Sequence, residues 1–180
     1  MSRRRGILLA VGGALLVVAV VGGLVFQPWL LFVDQRVDEA DDASAVVGTA
    51  SGGLSDTAVP TAGASGPTRV VLAAGDFVDA EHGTTGRATI FRRSDGTRFL
   101  RITGLDTSNG PDLHVWLTDR PSGGAWGSYD DGAHVRLGEL KGNQGDQSYP
   151  VPKGADLARM RPVVIWCDRF DVAFGTAPLA

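Results

Sequence analysis

The side chains of this sequence that are suited to redox or metal chemistry are few and widely spaced. They are one cysteine, three histidines and one methionine, all in the part of the chain that follows residue 80: Cys167, His82, His114, His134 and Met160. Such side chains bind haem iron or copper in other proteins. Here the histidines fall in separate segments, and no Cys-x-x-Cys-His attachment motif is present. We therefore expect no metal site, and the sequence leaves any cofactor unknown.

Cys167 ends a markedly hydrophobic stretch, Val163-Val164-Ile165-Trp166-Cys167. A strand that is apolar on both faces is typical of the centre of a sheet, and alternation places Cys167 on the face of Val163 and Ile165. A reactive thiol needs thiolate character and solvent access, which nearby positive charge favours. Arg169 follows, but Asp168 intervenes. The residues alone therefore favour a packed, inert cysteine over a reactive one.

Hydrolytic and nucleotide chemistry are not indicated. The sequence contains no Gly-x-Ser-x-Gly elbow, no His-Glu-x-x-His pair and no Walker or dinucleotide glycine pattern. The Asp130-Asp131-Gly132 run and the glycines between Lys141 and Gly145 have the composition of turns. The net charge is -3, with acids and bases interspersed, so we expect no nucleic-acid partner. Whether the protein is an enzyme stays open.

The N-terminal part has the composition of a membrane anchor. Residues 6–33 contain no charged side chain, and about 20 apolar residues suffice to cross a bilayer as a helix. Arginines occupy positions 3–5 and acidic residues follow the apolar run, so residues 1–5 are expected in the cytoplasm and the C-terminal part outside it. A cleaved signal peptide is the less favoured alternative, because the run is long and lacks a small-x-small cleavage site. We predict a single-pass protein of the cell membrane.

Residues 34–68 are predicted to be a flexible, disordered linker. The stretch carries six acids against one base, Arg36, and then becomes rich in alanine, glycine, serine, threonine and proline. Such a composition buries too little apolar surface to offset the entropy of ordering the chain.

Residues 69–180 are predicted to form an all-β domain, an antiparallel β-sandwich or a barrel-like fold. Short apolar runs alternate with turn signals at regular intervals, which is typical of these folds. The candidate strands are 69–73, 86–92, 98–103, 112–118, 133–140, 162–167 and 171–175. In the fourth of these, period-2 alternation puts Leu113, Val115 and Leu117 on the core face, and His114 and Trp116 on the other face.

Several motifs in this domain together resemble the DM13 family, over roughly residues 75 to 179. They are Gly75-Asp76-Phe77 with His82 and Gly86, Asn109-Gly110-Pro111-Asp112-Leu113, the run from Leu137 to Gly145, the run from Gln147 to Pro152, and Val163 to Cys167 with Phe170, Phe174, Gly175 and Ala177. The resemblance implies a mainly β, extracytoplasmic domain, often membrane-anchored in bacteria. It also implies a proposed role in electron transfer, through the family's cysteine as a bare thiol or through a bound group such as haem.

Two functions follow, from different classes. The resemblance makes Cys167 a candidate redox thiol and His82, which lies in the matching part, a candidate cofactor ligand; the protein would then be a redox accessory with a redox or cell-envelope protein partner. The alternative is a non-enzymatic binding or structural module of the cell envelope. Its candidate contact residues are Trp126 and Tyr129, in the loop from Pro121 to Gly132, since exposed aromatic residues on loops often mark recognition surfaces.

Overall fold

The structure, a computed structural model of the chain, describes residues 2–27, 29, 33–41 and 69–180. Most of the predicted linker, residues 42–68, lies outside the described residues.

The N-terminal element is a helix, α1, which spans Ser2–Phe26. It covers much of the predicted membrane span, 6–33. Within the described part of the chain, no helix combines the length and the hydropathy that a membrane crossing requires.

The rest of the described chain is built from ten strands in two sheets. The strands are β1 (Arg36–Asp38), β2 (Arg69–Asp76), β3 (Val78–Asp79), β4 (Thr85–Arg93), β5 (Arg98–Asp106), β6 (Leu113–Thr118), β7 (His134–Glu139), β8 (Gln144–Val151), β9 (Pro162–Cys167) and β10 (Val172–Pro178). The first sheet has the order β1-β8-β5-β4-β2 and the second β3-β10-β9-β6-β7. All pairings are antiparallel except that of β1 with β8. Of the predicted antiparallel sandwich or barrel-like fold, the sandwich-like form is confirmed, and the parallel pair of β1 with β8 was not predicted.

The main core lies between the two sheets. Leu113, Val115 and Leu117 of β6 are buried in it, as alternation predicts, and so are Val163, Ile165 and Cys167 of β9. A second, smaller cluster covers the outer face of the second sheet, formed by Trp116, Tyr129, Val164, Trp166 and Ala173. β9 is therefore covered on both faces, which confirms the prediction from its composition.

One long strand of the first sheet, β8, was not predicted. Its residues Gly145, Gln147, Tyr149 and Val151 are buried in alternation, but glycine and glutamine conceal this period in the sequence. The buried Gln147 is accommodated because its side-chain amide donates to the carbonyl of Gly142 at 2.8 Å and its Oε1 accepts from the Tyr149 hydroxyl at 2.6 Å. Buried polar groups that are satisfied in this way are compatible with a core position.

The beginning of the predicted linker also differs from the expectation. Residues 33–41, here called the strap, lie along the edge of the first sheet, where β1 pairs in parallel with β8. Glu39 fixes the strap, because its carboxylate accepts from the Lys141 ammonium at 2.5 Å and from the backbone amide of Ser148 at 2.8 Å. Composition alone does not reveal this order, because the strap is held by polar contacts and a backbone ladder rather than by apolar burial.

Two glycines, Gly142 just before β8 and Gly145 within it, allow the strap to approach this closely. A Cβ atom on Gly142 would overlap the carbonyl oxygen of Gln35, and one on Gly145 would overlap that of Val37. Gly145 also has a φ of 97°, in the region that favours glycine. The backbone of the strap therefore packs directly against Gly142 and Gly145.

Candidate functional site

The thiol of Cys167 is fully buried at the C-terminal end of β9. Its neighbours in the sheet are Leu113 of β6 and Val172 of β10. The Sγ donates a hydrogen bond to the backbone carbonyl of Pro111, at 3.1 Å. Pro111 belongs to the turn that precedes β6, so this turn closes over the thiol.

A polar cavity of about 400 Å³ lies against the same turn. Residues 109–113 form one wall, Arg169 lies on another, and Gln35 of the strap and Asn143 form a third. Asn143 binds the strap at this wall, because its Oδ1 accepts from the backbone amide of Gln35 at 2.6 Å and its Nδ2 donates to the Asp34 carboxylate at 2.8 Å. The cavity gives a solute a route to the turn that covers Cys167, and the strap borders that route.

The surroundings of Cys167 keep it protonated. Burial raises the pKa of the Cys167 thiol, and the carboxylates of Asp112 and Asp168 raise it further. The backbone amides of Phe170 and Arg169 act in the opposite direction but do not outweigh the burial. At neutral pH the group is a thiol rather than a nucleophilic thiolate.

Next to Cys167, three side chains form a cluster of groups that can ligate a cation: Asp112, His114 and Asp168. The Nε2 of His114 lies 3.0 Å from Asp112 Oδ1 and 3.3 Å from Asp168 Oδ2, and the three ligand atoms all lie within 4.8 Å of one another. Arg136, however, donates to both oxygens of Asp168, at 2.6 and 3.0 Å. The positive charge that Asp168 needs is thus already supplied by Arg136, and a cation would have to compete with that ion pair.

His82, the predicted cofactor ligand, lies on the ring of Phe174, with ring centroids 4.0 Å apart. The same Phe174 ring packs against the turn over the thiol, since a Cβ on Gly110 would come within 2.8 Å of its Cζ. His82 is therefore linked to the Cys167 region through Phe174. Its role as a ligand stays a prediction.

The remaining sequence candidates lie elsewhere. His134 stacks on Trp116, with centroids 4.3 Å apart, and Met160 packs against the main core. Trp126 is exposed, as expected of a contact residue. Tyr129 is completely buried, and its hydroxyl accepts from the Gly124 amide at 3.1 Å. The prediction of Tyr129 as a surface contact is therefore wrong, because this ring covers the outer face of the second sheet.

Sequence reasoning missed the grouping of His114 with Asp112 and Asp168. The i, i+2 spacing of Asp112 and His114 was visible, but Asp168 joins them only because β9 pairs with β6 and brings Cys167 beside Leu113. Asp112 reaches the cluster from a backbone conformation with a φ of 67°, which sequence does not reveal in advance.

Comparison with known proteins gives one match. A protein family described as Electron transfer DM13 matches residues 76–179, which is more than half of the chain. No curated protein and no solved structure matches the chain significantly. The matched region runs from the end of β2 to the end of β10 and contains Cys167 and its surroundings.

Proposed function

Because the chain belongs to the DM13 family of electron-transfer domains, we propose that it is a redox accessory whose redox-active group is the Cys167 thiol. The observation that carries this proposal is the contact of Cys167 Sγ with the carbonyl of Pro111, a residue that also lines the cavity of about 400 Å³. One buried thiol, separated from an accessible cavity by a single turn, is positioned to react with a small oxidant and is shielded from large ones.

The reaction we propose is a two-electron oxidation by a peroxide. The thiolate, which is the minor form of Cys167 at neutral pH, attacks one oxygen of the peroxide; the O–O bond breaks and an S–O bond forms. The proton lost by the thiol ends on the leaving oxygen, so the products are a sulfenic acid and water (from a hydroperoxide, an alcohol). The chain has no second cysteine, so an intramolecular disulfide cannot follow. Reduction therefore requires a thiol from outside the chain, which condenses with the sulfenic acid to a mixed disulfide and water before a second thiol releases Cys167. A protein or small-molecule thiol is the partner class implied.

The test is an oxidation and reduction cycle on the full-length chain in neutral detergent. After hydrogen peroxide, mass spectrometry is expected to locate one oxygen adduct on Cys167, and glutathione is expected to remove it through a mixed disulfide. The Cys167→Ser variant is the control and should carry neither the oxygen adduct nor the mixed disulfide with glutathione. Absorption spectra and metal content of the same sample show whether a bound group, rather than the thiol, carries the electrons.

We also propose that the N-terminal segment anchors the protein in a membrane, with the β domain outside the cytoplasm. The support is the uncharged run 6–33 between three arginines and an acidic stretch. In addition, four consecutive side chains of α1, from Leu15 to Val18, are exposed apolar groups on all sides of the helix. Recovery of the chain in membranes after carbonate washing, with the β domain digested by protease in intact spheroplasts, would support this topology; recovery in the soluble fraction would refute it.

A binding or structural module of the cell envelope is the second candidate function. The observation that favours it is Trp126, whose side chain is 52% exposed in the loop between β6 and β7. Exposed tryptophans are frequent anchors of interfaces. Pull-down with the full-length chain and with its Trp126→Ala variant tests this function. Loss of a specific partner in the variant supports a binding function. Recovery of the same partners with both proteins excludes Trp126 as the anchor.

A further inference from the structure

A second cavity, of about 650 Å³, lies at the opposite end of β9 from Cys167. Its size falls within the range of small-molecule sites. Apolar side chains form much of its lining: Val78 of β3, Pro162 at the start of β9, Pro178 at the end of β10, and Leu179. The lining residues all lie within the region that matches the family, but the proposed thiol chemistry does not involve this cavity.

The polar part of the lining is strongly cationic. Three arginines, Arg120, Arg159 and Arg161, face one carboxylate, Asp119, which leaves two more positive than negative charges. This excess occurs in a chain whose overall net charge is -3. Arg159 pairs with Asp119 Oδ2 at 2.8 Å, whereas the side chain of Arg161 has no hydrogen-bond or ion-pair partner within residues 2–27, 29, 33–41 and 69–180.

Unsatisfied polar atoms occur at the same place. Arg120 Nε, Ser122 Oγ and Asp119 Oδ1 are buried and have no hydrogen-bond partner among the described residues, and all three residues line the cavity. Buried polar atoms are nearly always hydrogen-bonded in folded proteins. The Ser122 hydroxyl can donate to an oxygen atom of an anion, whereas Arg120 Nε and Asp119 Oδ1 both lie against Gly132, where a Cβ atom would overlap both of them. Asp119 keeps Arg159 in position through its other oxygen.

We propose that this cavity binds a small amphiphilic anion, in which a carboxylate or phosphate group is joined to an apolar body. The anionic group lies between Arg161 and the Ser122 hydroxyl, with Arg120 adding positive charge to the lining, and the apolar body lies on Val78 and the prolines. Arginine is the side chain best suited to this recognition, because its planar fork donates two parallel hydrogen bonds to a carboxylate or phosphate. The shared chemistry of both headgroups is a pair of charged oxygens on one atom.

The test is a ligand-observed NMR titration of the full-length chain in neutral detergent with soluble probes. 3-Phenylpropionate and phenyl phosphate represent the two headgroups, 3-phenylpropanamide removes the charge, and acetate and inorganic phosphate remove the apolar body. Saturable binding of at least one charged aromatic probe, at least tenfold tighter than the amide and than the bare anions, supports the proposal. Equal binding of acetate or phosphate would indicate adventitious anions only, and equal binding of the amide would show that charge is not recognised; either result overturns it.

Variants make the test specific to this cavity. Arg161→Ala is expected to weaken binding of the charged probe at least tenfold, and Ser122→Ala to weaken it by a smaller factor. Arg92→Ala, which removes an exposed arginine of β4 outside the cavity, is the matched control and should leave the affinity unchanged. Since the Arg161 side chain has no described partner to lose, its variant should keep the thermal stability of the wild type. Unchanged affinity in a folded Arg161→Ala variant overturns the proposal.

Discussion

The Sγ of Cys167 and the carbonyl oxygen of Pro111 lie 3.1 Å apart although 56 positions separate the two residues in the chain. The contact joins the end of β9 to the turn that leads into β6. It makes that turn the cover of the chain's one thiol, so thiol reactivity depends on how readily the turn moves.

The first prediction concerns access to this thiol. In the native full-length chain, a bulky disulfide reagent is expected to react with Cys167 at least a hundredfold more slowly than in denaturant, because the group is buried and its pKa is raised. Ser94→Cys in a Cys167→Ser background places a thiol on an exposed turn and serves as the fast control. A native rate for Cys167 equal to that of the control would contradict the burial.

The second prediction concerns the contact between Gly145 and the strap. Gly145→Ala places a Cβ against the Val37 carbonyl at a φ of 97°, so it is expected to lower stability by roughly 1–3 kcal/mol. Gly154→Ala, at a position where a Cβ meets nothing within 4 Å, is the matched control. Thermal unfolding followed by circular dichroism measures both, and equal melting temperatures would show that the strap is not docked.

The third prediction is an acid dependence of the strap. Burial alone would raise the pKa of Glu39, but the Lys141 ammonium and the Ser148 amide lower it below its ordinary value of 4.5. The ionised carboxylate therefore stabilises the folded state above about pH 4.5, and this contribution is lost as the pH falls through the lowered pKa.

Glu39→Gln tests this dependence. The variant is expected to melt below the wild type at pH 7, and the difference should shrink on titration towards pH 3. Glu81→Gln, at an exposed position, is the control, and the difference between its melting temperature and that of the wild type should not change with pH. A constant difference across this range would show that the carboxylate charge does not hold the strap.

The fourth prediction is a loss of stability in alkali. Burial raises the pKa of Tyr149 strongly above 10.0, and burial also raises that of Cys167 above 9.0. Because the unfolded chain releases these protons first, the contribution of these two groups to stability is fully present below about pH 9 and is lost as the pH rises through the ordinary pKa values towards the raised ones.

Tyr149→Phe is expected to cost about 1–2 kcal/mol at pH 7, since it removes the hydrogen bond to Gln147. The same variant should make the alkaline decline shallower, and the remaining slope belongs to Cys167. Denaturant unfolding between pH 7 and 11 measures both effects. An alkaline slope as steep as that of the wild type would assign the decline to other groups.

Much of the fold was predictable because alternation and composition are local properties. The predicted strand 112–118 corresponds to Leu113–Thr118, and the predicted strand 162–167 to Pro162–Cys167. The two strands of the first sheet that were missed, β1 and β8, are rich in polar residues and glycine. These strands are held in place by polar contacts rather than by apolar burial. Glu39 contacts residues more than 100 positions away, and Gln147 contacts its neighbour Tyr149, and neither contact leaves a hydrophobic period in the sequence.

The candidate site was predictable only in part. The burial of Cys167 follows from the apolar run that contains it. Its cover by Pro111 and its proximity to Asp112 and Asp168 depend on the pairing of β9 with β6, which no local pattern encodes. The cationic cavity near Arg161 likewise depends on four segments meeting at one end of the second sheet.

The central claim is tested most directly by trapping the oxidised sulfur. The full-length chain is exposed to hydrogen peroxide with a sulfenic-acid reagent and analysed by peptide mass spectrometry, beside the Ser94→Cys, Cys167→Ser double variant. The account predicts one adduct on Cys167, formed faster in Glu39→Gln because the strap borders the cavity above the thiol. An unmodified Cys167, under conditions that fully convert the cysteine of the double variant, would contradict a redox role for this residue.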